Sequence, residues 1–134
     1  MKIFDLKGKV ALITGSSQGI GFALAEGLAE AGAKIILNGR DEKKLISAKQ
    51  KLNQKYESIS YLCFDVTDYG SVEHEIAQYY NQNSGIDILV NNAGMQHRAP
   101  LEDFPADKFE LLMKTNVSSV FNVGQAVAKR MIKK

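Results

Sequence analysis

The chain has 134 residues, a length for one domain, and is 45% hydrophobic and 24% charged, as globular proteins are. Its 17 Lys and Arg against 15 Asp and Glu leave a net charge of +2, which excludes a basic field built for nucleic acid or an anionic membrane. One cysteine (Cys63) and two histidines (His74, His97) exclude an internal disulfide and a Cys/His zinc cluster, so no metal is expected. The opening segment, Met1 to Lys9, alternates charged and apolar residues without a secretory apolar core, and no stretch approaches the roughly 18 apolar residues of a membrane span. A lone cysteine in an apolar run fits a reducing compartment, so a cytoplasmic location is expected.

In chain order, Lys9 to Thr14 is a short apolar run ending at glycine, the pattern of a buried parallel strand. Gly19 to Ala31 has helical spacing with Ile20, Leu24 and Leu28 on one face, and Gly32 follows as a stop. Lys34 to Asn38 reads as a second strand, and Glu42 to Lys55 as a charged helix with Leu45, Ala48 and Leu52 as its apolar stripe. Ile59 to Phe64 is a third strand. Ser71 to Asn81 is a helix that Thr67 or Asp68 can cap. Ile86 to Val90 is a fourth strand. A loop over 91–105 leads into a long helix over 107–132, striped by Phe109, Leu112, Met113, Val120, Val123, Val127 and Met131.

Strands alternating with helices imply βαβ units. The expected architecture is α/β: a partial Rossmann-like, doubly wound parallel sheet of strand order 3-2-1-4, with helices on both faces.

The first strand runs into Thr14-Gly15-Ser16-Ser17-Gln18-Gly19-Ile20-Gly21, which opens a helix. A strand-to-helix turn with little side-chain bulk lets backbone N–H groups face a pyrophosphate at the positive helix end. Gly15 suits the tight turn, Gly19 the close approach, and Gly21 the packing of helix on strand. In such a fold an acid about 20 residues further on holds the ribose hydroxyls, whereas Arg accommodates a 2′-phosphate. The second strand ends Asn38-Gly39-Arg40, with glycine at the acid's place and Arg40 beside it. This favours NADP(H) over NAD(H). The alternative is a solvated Arg40 with Asp41 at the ribose. Lys43 and Lys44 add positive charge nearby, or simply form a solvated helix face.

Thr14-Gly15-x-x-x-Gly19-x-Gly21 together with Asn91-Asn92-Ala93-Gly94, at the ends of the first and fourth strands, resembles the short-chain dehydrogenase/reductase family. The resemblance runs from Leu6 to the last lysine. It implies cofactor contacts from Gly15, Ser16, Ser17, Gly19, Ile20, Gly21, Arg40, Ala93 and Gly94. It also implies an adenine contact from Asp65 and Val66, and a sheet-bracing Asn91 that borders the cofactor. Asn116 matches the family's catalytic Asn, whose backbone carbonyl holds a water of the proton relay. Read without the family, Asn116 lies in the apolar stripe of the long helix, where a buried amide needs partners or costs about 1–3 kcal/mol. A structural Asn holding helix to sheet is then equally consistent, and both roles can coexist.

Within the family, the loop Gly94-Met95-Gln96-His97-Arg98-Ala99-Pro100-Leu101, with Asn38-Gly39-Arg40 and Val123-Gly124-Gln125-Ala126-Val127, most resembles enzymes that interconvert gluconate and 5-ketogluconate with NADP(H). The loop follows the fourth strand at the carboxyl edge of the sheet, where open α/β folds bind substrate. Arg98 suits a sugar-acid carboxylate, with Gln96 and His97 supplying hydrogen bonds; the alternative is a solvated surface loop. 3-Hydroxybutyrate dehydrogenases share Gln96-His97 and Ala99-Pro100 but use NAD(H), against which Arg40 speaks. A non-catalytic nucleotide-binding or interaction module is the reading from another class.

The family protonates its developing alkoxide with the Tyr of Tyr-x-x-x-Lys, aided by a Ser. None of Tyr56, Tyr61, Tyr69, Tyr79 and Tyr80 is followed by Lys at that spacing. The chain is therefore expected to be the amino-terminal part, over 1–134, of one dinucleotide-binding domain, inactive alone. Its fourth strand is expected as an apolar edge and its long helix as a partly uncovered surface, either of which would promote a homo-oligomer.

Overall fold

The computed structural model describes residues 2–133; Met1 and Lys134 lie outside the described residues. Strands β1 (Val10–Ile13), β2 (Lys34–Gly39), β3 (Ile59–Cys63) and β4 (Ile88–Val90) form one sheet in the order β3-β2-β1-β4. All three pairings are parallel, with Leu12 opposite Ile36 on one side and Leu89 on the other. The intervening helices are α1 (Gly19–Glu30), α2 (Glu42–Asn53) and α3 (Tyr69–Gln82). After β4 come a single 3₁₀ turn at Leu101–Asp103, then α4 (Ala106–Met113), a π-helical turn (Lys114–Ser118) and α5 (Ser119–Ile132).

Strand alternation divides the core in two. Val10, Leu12 and Ile36 face one layer and pack with Val72, Ile76, Val123 and Val127 of α3 and α5. Ala11, Ile13, Ile35 and Leu37 face the other, against Ala25 and Ala29 of α1 and Leu45, Ala48 and Leu52 of α2. Every residue of β1 is buried, which is why it reads as an unbroken apolar run rather than an alternating one. Each fully buried Leu, Ile or Val contributes about 1.5–3 kcal/mol of apolar transfer. Glu73 fastens α3 to α5 through Arg130 at 2.8 Å and Lys129 at 2.9 Å, and Arg130 lies 5.9 Å from the Tyr80 ring centroid. The guanidinium and ammonium hold the Glu73 carboxyl below its ordinary range.

The expected strand order and helix sequence are those found. Asp68 is the cap of α3, its side chain accepting the Ser71 N–H. The fourth strand is shorter than expected, although Ile86 is buried and the Asp87 N–H still donates to the Val10 carbonyl. Two apolar stripes differ more. In α1 the buried face is Gly21, Ala25 and Ala29, while Ile20 is 76% exposed and Leu24 40%. Small residues let this helix lie close to the sheet, and they rank low on any hydrophobicity pattern. In the long helix, Val123, Ala126 and Val127 are buried as a core stripe, but Phe109, Met113 and Val120 are exposed. The π turn accounts for the break: one extra residue per turn rotates everything before it relative to everything after. No helix among the described residues is long and apolar enough to cross a membrane.

Candidate functional site

The carboxyl ends of β1, β2, β3 and β4 open on one edge, where Thr14, Arg40, Asp65 and Asn91 follow within two residues of the strands. Thr14, after β1, is buried; its Oγ1 accepts the N–H groups of Asn92 at 2.9 Å and Ala93 at 3.0 Å. Asn92 returns two bonds, its Nδ2 donating to the carbonyls of Thr14 and Gly15, both at 3.1 Å. The exits of β1 and β4 are thus laced together across 78 residues of sequence.

This lacing seats Ala93 against Gly15. Gly15 (φ +61°) and Gly19 (φ +64°) occupy the left-handed region, and a Cβ on Gly15 would sit 2.9 Å from Ala93 Cα. A Cβ on Gly19 would meet nothing within 4 Å, so that glycine faces open space where a ligand backbone can approach. Gly21 is needed for packing: its Cβ would lie 2.3 Å from the Gly15 carbonyl oxygen and 2.5 Å from Asn92 Nδ2.

The helix ends differ in a way that bears on charge. Asp41 caps α2, its Oδ1 accepting the N–H groups of Lys43 at 3.0 Å and Lys44 at 3.3 Å, and Asp68 caps α3. At α1 the N-cap is Gln18, which makes no side-chain bond, and the first turn carries no acid. Its unpaired N–H groups and positive dipole end remain available to an anion.

Two cavities of about 500 Å³ each flank the segment Asn92–Met95. The first is walled by Gly15 and Ser17 of the glycine loop, Gly39, Arg40 and Lys44 after β2, and Asp65, Val66 and Thr67 after β3. The second is walled by Gln18, Ile20, Gly21, Asn91, Gln96 and Asn116. Ala93, Gly94 and Gln18 border both, so the two form the halves of one cleft.

Asp65 is the best-defined ionisable group in the first cavity. Burial pushes its carboxyl up, but bonds from the Thr67 N–H and Oγ1, each 2.8 Å, and then the charges of Arg40 and Lys114, outweigh that and hold it below the ordinary value. The fold therefore favours ionised Asp65. Its stabilising contribution is complete above the unfolded carboxylate pKa of about 3.9 and is lost as pH falls through the lower folded value. Urea unfolding from pH 6 to pH 3 should show Asp65→Asn losing less stability over the acid limb than the parent chain. Cys63, bonded through Sγ to the Arg40 carbonyl at 3.5 Å, shifts the opposite way. Burial, then the charges of Glu42, Glu75 and Asp41, push the thiol up and keep it protonated.

Most of the residues expected at the site converge on the cleft, with four differences. Ser16 is fully buried, and its hydroxyl turns inward, donating to Ile13 O at 2.7 Å and accepting the Asn38 N–H at 3.0 Å; it holds the loop and cannot reach a ligand. Asn91 borders the second cavity, but its amide reaches Val120 O of α5 at 3.5 Å, and the bracing of the sheet falls to Asn92. Arg98 is exposed and lines neither cavity, while His97 packs edge-on to Phe104 with ring centroids 5.4 Å apart. Asn116 is exposed rather than buried. Its Oδ1 accepts the Met95 N–H and its Nδ2 donates to Met95 O, both at 2.9 Å, which ties the π turn to the loop after β4.

Thr14, Gln18, Asn38 and Asn92 lie inside the motifs at the ends of β1, β2 and β4, but sequence reasoning gave none of them a role of its own.

The short chain dehydrogenase family model matches residues 9–134. A gluconate 5-dehydrogenase of Gluconobacter oxydans (strain 621H) is 48% identical over 130 residues, covering 97% of this chain and 51% of that protein. A 5-keto-D-gluconate 5-reductase of Escherichia coli (strain K12) is 39% identical over 132 residues, covering 98% and 52%. The crystal structure of a gluconate 5-dehydrogenase from Burkholderia cenocepacia J2315, in complex with NADP and tartrate, superposes with a TM-score of 0.92 at 46% identity, covering 97% of this chain and 51% of that one. The chain spans about half the length of the curated relatives it matches. With this fold, this glycine loop and a family match over nearly its whole length, the chain belongs to the short-chain dehydrogenase/reductase family.

Proposed function

We propose that residues 1–134 carry the adenosine- and phosphate-binding half of a single dinucleotide-binding domain in an NADP(H)-dependent oxidoreductase of gluconate 5-dehydrogenase type. The observation that carries the cofactor preference is the arrangement at Arg40-Asp41. Both border the first cavity, but Asp41 Oδ1 is engaged by the Lys43 and Lys44 N–H groups as the α2 cap, while the exposed Arg40 guanidinium stands there beside Lys44. A carboxylate with one oxygen committed to a helix cap has less to offer ribose hydroxyls, and a guanidinium beside a lysine suits a 2′-phosphate.

The residues present fit the cofactor's phosphates and adenosine. The uncapped start of α1 and the open approach at Gly19 suit the pyrophosphate, and Asp65 and Val66 suit the adenine side. The bound cofactor would supply or accept a hydride. Gln96 and Asn116 line the second cavity, where a sugar-acid hydroxyl or ketone would lie, and Asn116 fixes the Met95 loop at its wall. The assignment to a sugar acid rests on the names and likeness of the relatives. The substrate role of Arg98 requires its loop to turn towards the cleft.

No Tyr-x-x-x-Lys occurs in these residues, so NADPH binding is expected without reduction of 5-ketogluconate. Fluorescence titration of the chain should show tighter binding of NADPH than NADH, and mixing with 5-ketogluconate should show no turnover. Equal affinity for the two cofactors would contradict the preference, and turnover the division of function. Binding of NADPH with no reductase activity in any longer form of the protein would favour the nucleotide-binding module instead.

The exposed side chains of the long helix, with Val117 at 54% and Phe121 at 64% exposure, and the edge strand β4 suit a homo-oligomer. Sedimentation velocity should show a weight-average mass that rises with concentration. A concentration-independent monomer would contradict that assembly. A soluble protein of the cytoplasm remains the proposed setting.

A further inference from the structure

The Asn38 side chain makes three hydrogen bonds at the cleft, and the proposed cofactor chemistry does not use it directly. It is 1% exposed, near the end of β2 and opposite Leu62 of β3. Its Oδ1 accepts the Gly15 N–H at 3.1 Å, while its Nδ2 donates to Leu62 O at 3.1 Å and Phe64 O at 3.2 Å. Its backbone also holds Ser16: the Ser16 N–H donates to Asn38 O at 2.8 Å, and the Asn38 N–H donates to Ser16 Oγ at 3.0 Å.

The chemistry of this position admits few side chains. One partner is a donor and two are acceptors, so the bridging group must present an oxygen to the loop and two N–H bonds to β3. An amide does this. A carboxylate would set an oxygen against two carbonyls, and an aliphatic isostere would give up all three bonds, the one to Phe64 O being fully buried. The two sides that the amide joins are the two walls of the first cavity. Gly15 belongs to the phosphate-binding loop, and Phe64 leads directly into Asp65 and Val66 on the adenine side.

We infer that Asn38 is a positioning residue that fixes the spacing between the phosphate loop and the adenine wall, so that a ligand spanning both meets them pre-set. The inference rests on the cofactor reading of the cleft. A ligand touching both walls gains from their being held in register, whereas a ligand touching one wall does not.

The test compares ligands of different reach on the parent chain and on Asn38→Ser, which removes the β3 bridge without adding charge. NADPH spans both walls; adenosine and inorganic pyrophosphate each meet one. Asn38→Ser should raise the NADPH Kd by about tenfold or more, while the adenosine and pyrophosphate constants, read by NMR titration, stay within about twofold. Equal weakening of all three, or of none, overturns the inference and leaves the cofactor reading intact. A parent chain that binds no NADPH overturns both.

A second measurement needs no variant. Adenosine bound at the adenine wall of the parent chain should slow amide exchange at Gly15, on the far side of the bridge. Unchanged exchange at Gly15 with adenosine saturating overturns the inference even if Asn38→Ser fails to fold.

Discussion

Replacing Arg40 with Ala should raise the Kd for NADPH about tenfold and leave that for NADH within about threefold. A charge-assisted hydrogen bond contributes about 1.5–3 kcal/mol, and each 1.4 kcal/mol is a factor of ten. Arg40 is exposed, so salt screens part of its field, and the lower end of that range applies at physiological ionic strength. The effect should grow as salt is reduced. Asp41→Ser is the matched control. Serine retains the capping oxygen at the start of α2, so both stability and cofactor preference should stay close to those of the parent. If Arg40→Ala left the NADPH-to-NADH ratio unchanged, or if Asp41→Ser altered NADH binding more than NADPH binding, the ribose end would be read by Asp41 instead. Parallel titrations of the three chains at two salt concentrations decide between these outcomes.

The second large effect concerns stability. A Cβ at Gly21 would stand 2.3 Å from Gly15 O, 2.5 Å from Asn92 Nδ2 and 2.9 Å from Ser16 Cα. Two of these are backbone atoms, and Asn92 is tied down by its own bonds to Thr14 and Gly15. None can yield cheaply, so α1 must move away from the sheet. Overpacking of this kind costs about 3 kcal/mol or more. Gly21→Ala should therefore lower the midpoint of thermal unfolding by on the order of 10 °C. Gly27→Ala, in the same helix, meets nothing within 4 Å and lies on the exposed side, so it should stabilise by about 0.5–1 kcal/mol. Circular dichroism melts of the two variants, with opposite signs expected, separate helix propensity from the close contact.

What could be read from sequence follows from how local the cause is. The strand order and the alternation of elements were legible because β1 and β2 are buried on both faces and read as apolar runs. The α2 stripe of Leu45, Ala48 and Leu52 was legible because large apolar residues recur at helical spacing. In α1 the same rule selected Ile20, Leu24 and Leu28, yet close approach to the sheet is made by Gly21, Ala25 and Ala29. Closeness demands small side chains, and small side chains give a weak pattern. The π turn at Lys114–Ser118 interrupts the helical spacing on which the stripe was read, and its rotation of the stripe exposed Val120.

At the site, the glycine spacing and Arg40 were legible because each acts through its own backbone or charge. Thr14, Asn38 and Asn92 act through bonds to residues 23 to 79 positions away, and nothing in their neighbours signals those partners. Ser16 illustrates the converse. A serine in a phosphate loop suggests a ligand contact, but an inward hydroxyl satisfied by Ile13 and Asn38 serves the loop's shape.

The central claim is that this chain holds the adenosine and phosphate end of the cofactor by itself, and calorimetric titration with adenosine 2′,5′-bisphosphate tests it most directly. That compound carries the adenine, the 5′-phosphate and the 2′-phosphate, with no nicotinamide. The account predicts saturable one-to-one binding, within about tenfold of the NADPH affinity and tighter than that of adenosine 5′-monophosphate by about the factor assigned to Arg40. Absence of saturable binding, or equal affinity for the two adenosine phosphates, would contradict it.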